Sequence, residues 1–109
     1  GRPSVYSYEK VMMDVFSGRA NGVKEYPCLI PNWDNTPRSM SNGLVLHGST
    51  PELFRAQVRK SLELINDTSA EERFIFVKSW NEWAEGNHLE PDLRFGRAYL
   101  EVLRDELVK

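Results

Sequence analysis

The chain has 109 residues, of which 40% are hydrophobic and 28% are charged, and its formal net charge is −2. This composition is typical of a single globular domain, and the balanced charge argues against nucleic acid or anionic lipid as a partner. No apolar run approaches the roughly 20 residues that a membrane helix requires, so we expect no membrane span. The single cysteine, Cys28, lies in an apolar run, which predicts a buried, unreactive thiol and fits a reducing, cytoplasmic compartment.

The first predicted helix covers about residues 7–17, and a short strand follows it. Ser7 is the expected N-cap, and Gly18 is expected to end the helix. A 3.6-residue spacing indicates one buried face, formed by Tyr8, Val11, Met12, Val15 and Phe16. The apolar run that follows is bounded by Pro27 and Pro31, and it predicts a strand over about residues 26–32.

The clearest helix start precedes the second predicted helix, at about residues 50–66. The segment Ser49-Thr50-Pro51-Glu52 supplies a capping hydroxyl, a proline in the first turn and a glutamate placed for a capping box. The expected inner stripe is Phe54, Val58, Ser61, Leu62 and Ile65. Consecutive apolar residues then predict a strand over about residues 73–79 with both faces covered, as in a parallel sheet. The last predicted helix covers about residues 93–108 and turns these residues inward: Gly96, Tyr99, Leu100, Leu103 and Leu107.

These elements predict an α/β fold with two parallel strands and three flanking helices. Two strands joined by a helix form a right-handed βαβ unit. However, two strands leave both sheet edges open and provide too little sheet to cover three amphipathic helices. The chain also begins with Gly-Arg-Pro rather than Met. We therefore expect the end of a larger α/β protein, and self-association through the open edges is the alternative.

The densest group of chemically active side chains directly follows the second predicted strand, in residues 79–91. It holds three carboxylates, a histidine and two tryptophans. Glu82 and Glu85 are three residues apart, so in a helical or 3-10 turn they project to the same side. Such a pair can divide the acid and base roles of glycoside chemistry, while Trp80 and Trp83 offer apolar faces to a sugar. The alternative is a set of solvated loop acids beside tryptophans that fill the core.

The spacing of Glu82, Glu85 and His88 also allows a divalent metal ion on one helical face. A glycine and a proline within the same stretch argue against a continuous helix. No metal or other cofactor is therefore expected. His88 is predicted instead to hydrogen-bond a substrate or Glu90.

A second polar cluster follows the first predicted strand, at residues 32–38. Asp34 and Asn35 can fix sugar hydroxyls, and Arg38 can pair with an acid or a phosphate. An Asx turn with a surface arginine, or an ion pair of Arg38 with Asp34, explains the same residues equally well on local grounds. Position favours function, since ligands of parallel α/β folds bind at the carboxyl ends of strands. The predicted substrate-binding residues are Trp33, Asp34, Asn35, Arg38, Trp80, Asn81, Trp83, His88 and Glu90.

Three ordered segments of the chain resemble the C-terminal part of WbsX-like proteins, a family of glycosyltransferases of lipopolysaccharide and O-antigen synthesis. The segments are Trp33-Asp34-Asn35-Thr36-Pro37-Arg38, His47-Gly48-Ser49-Thr50-Pro51-Glu52-Leu53-Phe54 and Ser79-Trp80-Asn81-Glu82-Trp83-Ala84-Glu85-Gly86-Asn87-His88-Leu89-Glu90-Pro91. The resemblance spans nearly the whole chain from about residue 26. The family is similar in turn to glycoside hydrolase family 99, whose endo-mannosidases and endo-mannanases are (β/α)8 barrels. The resemblance implies a C-terminal fragment of a TIM barrel, with the two strands as its seventh and eighth.

The resemblance also implies roles for the acid pair. Residues 82–86 match the E-W-x-E-G motif that carries the two catalytic glutamates of family 99. By that resemblance Glu82 is the base that draws a proton from the sugar 2-hydroxyl, which then attacks the anomeric carbon. Glu85 is the general acid that protonates the departing oxygen and then the base that activates water. The hydrolases commonly have a histidine where this chain has Ala84, so one possible contact differs.

The leading hypothesis is a carbohydrate-active protein of bacterial lipopolysaccharide or O-antigen polysaccharide biosynthesis. The acid pair favours glycosidic bond cleavage or transglycosylation, whereas the family resemblance favours sugar transfer. No glycine-rich phosphate loop or D-x-D motif for a nucleotide sugar is visible in these residues. The alternatives are a non-catalytic glycan-binding module and a fragment that is inactive alone, because a barrel active site draws on several strand ends.

Overall fold

The computed structural model describes residues 1–16 and 24–108, and it has a mixed α/β fold. The strands are β1 (Ser4–Ser7), β2 (Cys28–Leu29), β3 (Trp33–Asp34), β4 (Leu44–His47), β5 (Phe76–Val77), β6 (Asn81–Glu82) and β7 (Asn87–His88). The helices are α1 (Tyr8–Val15), α2 (Thr36–Ser39), α3 (Pro51–Ile65) and α4 (Ala98–Leu107). Single 3-10 turns cover Met40–Asn42, Ala70–Glu72 and Trp83–Glu85. The α/β class is confirmed, but the expected count of two strands and three helices is wrong.

The strands form three separate small sheets. β1 and β3 flank β4, with β1 parallel and β3 antiparallel to it. β2 and β5 pair in parallel, as expected of the two predicted strands, and β6 pairs with β7 in an antiparallel hairpin. The residues with described positions form no closed barrel, so the TIM-barrel fragment stays a prediction. β1 and β4 were missed because each is short and its partner lies far along the chain.

The β2–β5 sheet is shorter than the predicted strands and is covered less. β2 has only two residues in the ladder, since Pro27 and Pro31 on either side have no backbone N–H to donate. Leu29 is fully buried, but Cys28 points to the other face and is exposed, so the predicted buried thiol is wrong. The expected cover on both faces of β5 is wrong too, because 58% of Phe76 and 38% of Val77 are exposed.

Helices α1 and α3 both begin at side-chain caps. The Ser7 hydroxyl accepts a hydrogen bond from the Lys10 amide, and the Thr50 hydroxyl accepts one from the Leu53 amide. The predicted end of α1 at Gly18, and the last predicted residue of that helix, lie outside the described residues. Of its predicted buried face, Tyr8 and Met12 are buried, whereas Val15 is exposed.

α3 supplies the largest share of the core. Phe54, Val58, Ser61 and Ile65 are buried as the spacing predicts, with Leu62 partly buried against them. Gln57 is also buried and was not predicted. Its amide oxygen accepts from the Ile30 amide at 2.6 Å, and its amide nitrogen donates to the Tyr8 hydroxyl at 2.9 Å. This one side chain therefore ties α1 and α3 to the chain beside β2.

α4 starts later than the predicted residue 93, because residues 92–96 form a closed turn. The Asp92 carboxylate accepts a hydrogen bond from the Phe95 amide at 2.6 Å, and Gly96 has a φ of +57°. The residues that α4 buries are Tyr99, Val102 and Glu106. The expected inward positions of Gly96 and Leu107 are wrong, since both residues are exposed.

The described residues make an open, thin body. The radius of gyration is 14.7 Å, against about 13 Å for a compact chain of this length. The core is one cluster between α3, α4 and the β2 segment, formed by Leu29, Phe54, Val58, Leu89, Tyr99 and Val102. Across residues 1–16 and 24–108, no helix combines the length and the apolarity that crossing a membrane requires.

Candidate functional site

The acid-rich segment folds as a tight hairpin. β6 leads into the 3-10 turn of Trp83–Glu85, and β7 returns antiparallel, with Asn81 opposite His88 and Glu82 opposite Asn87. Gly86 closes the turn in the left-handed region, with a φ of +54° that a side chain would disfavour. Glu82 and Glu85 therefore lie at the two ends of one turn rather than on a continuous helix.

Gly86 also brings the two predicted clusters into contact. A Cβ atom at this position would lie 2.7 Å from the Asp34 carbonyl oxygen and 2.8 Å from the Asp34 amide nitrogen. Only glycine permits two backbones to approach this closely. The hairpin is consequently packed against β3, the segment that follows β2.

Two asparagine side chains fix the same junction, and neither was assigned a role from the sequence. The Asn32 amide oxygen accepts from the His88 amide at 2.8 Å, and its amide nitrogen donates to the His88 carbonyl at 3.2 Å. Asn87 is fully buried, and its side-chain nitrogen donates to the Asn32 carbonyl at 2.8 Å and the Lys78 carbonyl at 2.9 Å. These side chains satisfy backbone groups that no strand ladder pairs, so they set the position of His88.

The two glutamates have different surroundings. Glu82 is exposed and forms no ion pair within the described residues. The Glu85 side chain is only 22% exposed, with Arg38 Nη1 3.4 Å from one carboxylate oxygen and Lys78 Nζ 3.9 Å from the other. Arg38 thus pairs with Glu85, not with Asp34 as one sequence-based alternative had it. The two acids therefore differ in exposure and in charged neighbours.

Trp83 and His88 form an aromatic stack beside the acids. Their ring centroids are 3.7 Å apart with an angle of 17° between the planes. The Trp83 indole nitrogen donates to Glu90 at 2.8 Å, and His88 Nε2 lies 3.1 Å from the Asp92 carboxylate. Glu90 therefore holds Trp83 rather than His88, while 45% of Trp83 stays exposed.

Asp92 is a site residue that sequence reasoning missed. Burial raises its pKa, but the hydrogen bonds from the Phe95 amide and from His88 outweigh burial and hold the pKa below its usual range. The Asp92 carboxylate therefore serves both the turn before α4 and the His88 ring. The signal in the sequence was Pro91-Asp92 ahead of a glycine, which is a turn pattern.

The cluster at residues 32–38 has mostly structural partners. The Asp34 carboxylate accepts from both the amide and the hydroxyl of Thr36, at 2.9 and 2.5 Å, which is the Asx turn of the alternative interpretation. The Asn35 amide oxygen accepts from the Leu44 amide at 2.6 Å. Trp33 is partly buried, and the Lys78 ammonium lies 5.5 Å from its ring centroid.

Trp80 and Asn81 are exposed at the start of the hairpin. The Trp80 carbonyl accepts hydrogen bonds from the Leu89 and Glu90 amides at 2.9 and 3.0 Å, so its backbone is fixed while 51% of its surface is free. Neither tryptophan of the hairpin fills the core, contrary to the alternative considered for them. Both leave about half of their surface exposed.

Two cavities lie next to the hairpin, and neither is lined by the glutamates. A cavity of about 330 Å³ has polar walls that include Trp33, Asp34, His47, His88, Asp92 and Arg94. A shallower one of about 570 Å³ is lined by Trp83, His88, Pro91, Asp92, Leu93 and Arg94. His88, Asp92 and Arg94 line both cavities. No group of three histidine, cysteine or acidic residues able to hold a metal ion occurs in the described part of the chain.

A comparison with known protein families matches the part of the chain that contains these site residues. The model of the family described as Glycosyltransferase WbsX matches residues 1–103 of the chain. The chain belongs to the WbsX glycosyltransferase family. The matched range includes both polar clusters, the hairpin and the turn before α4.

Two curated relatives carry the same name. The uncharacterised protein WxcX of Xanthomonas campestris pv. campestris strain B100 is 34% identical over 107 residues, which is 96% of this chain and 15% of that protein. WxcX of strain ATCC 33913 is 40% identical over 86 residues, which is 77% of this chain and 12% of that protein. This WbsX family chain thus spans less than a sixth of either relative. No solved structure matches it at a significant level.

Proposed function

We propose that the chain forms one part of the active site of a carbohydrate-active protein of bacterial polysaccharide biosynthesis, with Glu82 and Glu85 as its reacting carboxyl groups. The observation that carries the proposal is the contact of Gly86 with Asp34, which joins the acid-bearing turn to a second polar segment. Membership of the WbsX glycosyltransferase family supports sugar chemistry at this junction. Lipopolysaccharide or O-antigen as the product, and a cytoplasmic location, stay predictions.

The proposed chemistry uses the difference between the two acids. Glu82, which is exposed, takes the proton of a sugar 2-hydroxyl, and that oxygen attacks the anomeric carbon. Glu85 gives its proton to the departing glycosidic oxygen as the old bond breaks. In the second step Glu85 takes a proton from an incoming hydroxyl, whose oxygen attacks the anomeric carbon as the bond between that carbon and O2 breaks, and Glu82 returns its proton to O2. Water as the incoming molecule gives hydrolysis, and a glycan hydroxyl gives transfer.

Arg38 and Lys78 position the Glu85 carboxyl group in this scheme. Their nitrogen atoms lie 3.4 and 3.9 Å from its two oxygens, so the carboxyl plane is held from both sides. We assign Asp34 and Asn35 to shaping the loop that carries Arg38, because both accept hydrogen bonds from neighbouring backbone amides. The substrate-binding role predicted for them from the sequence stays a prediction.

Sugar contacts are proposed for the exposed aromatic and polar side chains. Trp80 and Trp83 each keep about half of their surface free, and an indole face packs well against the C–H surface of a sugar. Trp33 and His88 line the 330 Å³ cavity, which is large enough for about one sugar ring. Asn81 and Glu90 complete the proposed set as hydrogen-bonding groups.

The rest of the parent protein is the proposed cover for the exposed strand side. Phe74 and Phe76 are 54% and 58% exposed, and β5 pairs on one edge with β2. Such surface is characteristic of a face that other chain segments cover. We propose a (β/α)8 barrel in which β2 and β5 are the seventh and eighth strands, and association of two copies through the open edges is the alternative.

A non-catalytic glycan-binding module is the second candidate, and a specific observation favours it. The residues that line the two cavities are aromatic, histidine, aspartate and arginine side chains, and neither Glu82 nor Glu85 is among them. In this alternative the full-length protein binds glycans without turnover. Binding that survives Glu82→Gln and Glu85→Gln together, with no turnover by the unaltered protein, would establish it.

The test of the proposed reaction compares two classes of substrate. The full-length parent is incubated with α-mannoside oligosaccharides and, separately, with a panel of nucleotide sugars plus an acceptor glycan, and products are separated by mass spectrometry. Cleavage or transglycosylation of the oligosaccharides supports the acid-pair reaction. If product forms only from nucleotide sugars, the hydrolase-like mechanism is excluded and transfer from a nucleotide sugar is the remaining reaction.

A further inference from the structure

Arg94 is a positively charged group that lines both cavities and has no acidic partner among the described residues. It lines both the 330 Å³ cavity and the shallower cavity beside Trp83. Arg38 and Lys78 pair with Glu85, whereas Arg94 forms no ion pair with any carboxylate in residues 1–16 and 24–108. An arginine without an acidic partner at a concave site is a ready ligand for an incoming anion.

The Arg94 side chain is held in place by its own turn. Its guanidinium carbon lies 4.9 Å from the centroid of the Phe95 ring, within the range of a cation–π contact. The turn itself is closed by the Asp92 carboxylate, which accepts from the Phe95 amide, and by hydrogen bonds in both directions between the Asp92 and Gly96 backbones. A guanidinium held this way loses little freedom on binding, so it favours a planar, bidentate partner.

The two carboxylates of the 330 Å³ cavity are already engaged. Asp34 accepts two hydrogen bonds from Thr36, and Asp92 accepts from Phe95 and contacts His88 Nε2 at 3.1 Å. Neither carboxylate forms an ion pair with Arg94 within the described residues. The fixed charges around the cavity therefore consist of two occupied acids and one arginine without an acidic partner.

We propose that Arg94 binds the carboxylate of an acidic sugar, so that the glycan recognised here carries a uronic acid residue. The inference rests on the proposed carbohydrate function and names the substrate class of that site. The sugar ring lies against the Trp83–His88 stack, and its carboxylate forms paired hydrogen bonds with the guanidinium at the wall shared by both cavities. Arg94 is thus a specificity-determining residue.

A single carboxylate fits this site better than the diphosphate of a nucleotide sugar. A diphosphate brings at least two negative charges close to Asp34 and Asp92, and like charges at short range repel strongly where water is partly excluded. A carboxylate brings a single negative charge and meets less of this repulsion, so it is favoured over a diphosphate.

The test uses full-length protein and matched glycans. Trisaccharides of galacturonic, glucuronic and mannuronic acid, each paired with its carboxyl-reduced neutral form, are titrated by calorimetry at pH 7 and at two salt concentrations. Arg94→Gln is compared with Arg97→Gln, a neighbouring exposed arginine outside both cavities. UDP is titrated as the diphosphate probe.

We expect at least one acidic trisaccharide to bind about tenfold more tightly than its neutral form. Arg94→Gln abolishes that preference while neutral binding is kept, and Arg97→Gln retains it. Equal binding of acidic and neutral forms, or a preference that survives Arg94→Gln, overturns the proposal and leaves the proposed function standing. UDP binding that depends on Arg94, without uronate preference, overturns it in favour of a nucleotide. Failure of all six trisaccharides to bind overturns the inference, while the proposed function is decided separately by turnover of the α-mannoside oligosaccharides.

Discussion

The two sides of this molecule differ in how completely their large side chains are buried and paired within the chain. On the packed side, α3 and α4 enclose Leu29, Phe54, Val58, Tyr99 and Val102, and even the polar Gln57 and Glu106 are buried with partners. On the open side, β5 and the hairpin expose Phe74, Phe76, Trp80 and Trp83. The packed side encloses the core, whereas the open side holds the candidate site and leaves large apolar side chains exposed.

The largest expected effect tests this difference with one phenylalanine from each side. Phe54→Ala removes a fully buried ring and is expected to lower the free energy of unfolding by about 3 to 5 kcal/mol. Phe76→Ala in the 109-residue chain is expected to cost no more than about 1 kcal/mol, since the ring is 58% exposed. Urea unfolding of both variants measures the contrast.

The same pair in the full-length parent decides whether the open side is covered there. If the rest of the protein packs against β5, the cost of Phe76→Ala rises toward the large values of buried aromatic rings. An unchanged small cost in the parent contradicts the proposed cover.

Gly86→Ala is the next effect in size, because it acts at the close contact between the open side's hairpin and β3. The new Cβ would lie 2.7 to 2.9 Å from Asp34 atoms, and the φ of +54° is itself unfavourable for alanine. We expect a loss of about 2 to 4 kcal/mol in unfolding free energy. Gly48→Ala is the control: its φ is +87°, but nothing lies within 4 Å, so about 1 kcal/mol of strain is expected. Equal costs for the two variants would show that the close contact is not formed.

Glu106→Gln has a smaller expected effect on the packed side. The carboxylate is 5% exposed and accepts from Arg55 at 2.8 Å and Arg59 at 2.9 Å, linking α4 to α3. Losing its charge is expected to cost about 1 to 2 kcal/mol, since both arginines remain partly hydrated. Glu101→Gln, on an exposed position of the same helix, should leave the thermal midpoint unchanged. Equal shifts of the thermal midpoint for both variants would show that the pairing of Glu106 with the two arginines does not stabilise the chain.

The smallest expected effect is the acid sensitivity that Asp92 contributes. The pKa of Asp92 is lower in the folded chain than in the unfolded chain. Its contribution to stability is therefore complete at a pH above its pKa in the unfolded chain, and it is lost as the pH falls through its pKa in the folded chain. That window lies below about pH 4. Asp92→Asn should therefore flatten the decline of stability between about pH 4 and 2, as measured by urea unfolding at fixed pH. If the unfolding free energy of Asp92→Asn declines with pH as it does in the unaltered chain, Asp92 does not contribute this acid sensitivity.

How far the sequence predicts this fold depends on whether a feature is local. Thr50 caps α3 as its pattern predicts, and the Asx turn at Asp34 was one of two stated alternatives. β1 and β4 escaped prediction because their pairing joins segments far apart in the chain. The exposure of β5 was missed for another reason: its apolar pattern is that of a doubly covered strand, but the described residues leave Phe76 and Val77 exposed.

The candidate site shows the same division. Glu82, Glu85 and the tryptophans were found because acids and aromatics concentrated after a strand are conspicuous. Asn32, Asn87 and Asp92 were not found, since their roles depend on which backbone amides face them in the folded chain. The pairing of Arg38 with Glu85 likewise follows from the contact at Gly86, which no spacing predicts.

The most direct measurement of the central claim is turnover by the full-length parent carrying Glu85→Gln, with Glu71→Gln, an exposed acid elsewhere, as control. Substrates are glycans and a matched 2,4-dinitrophenyl glycoside, whose leaving group needs no proton. For Glu85→Gln we expect the rate on glycans to fall by a factor of about 10² to 10⁴ and the rate on the activated substrate to fall less. For Glu71→Gln we expect no loss. Full activity of the Glu85→Gln protein on glycans would show that Glu85 is not the general acid.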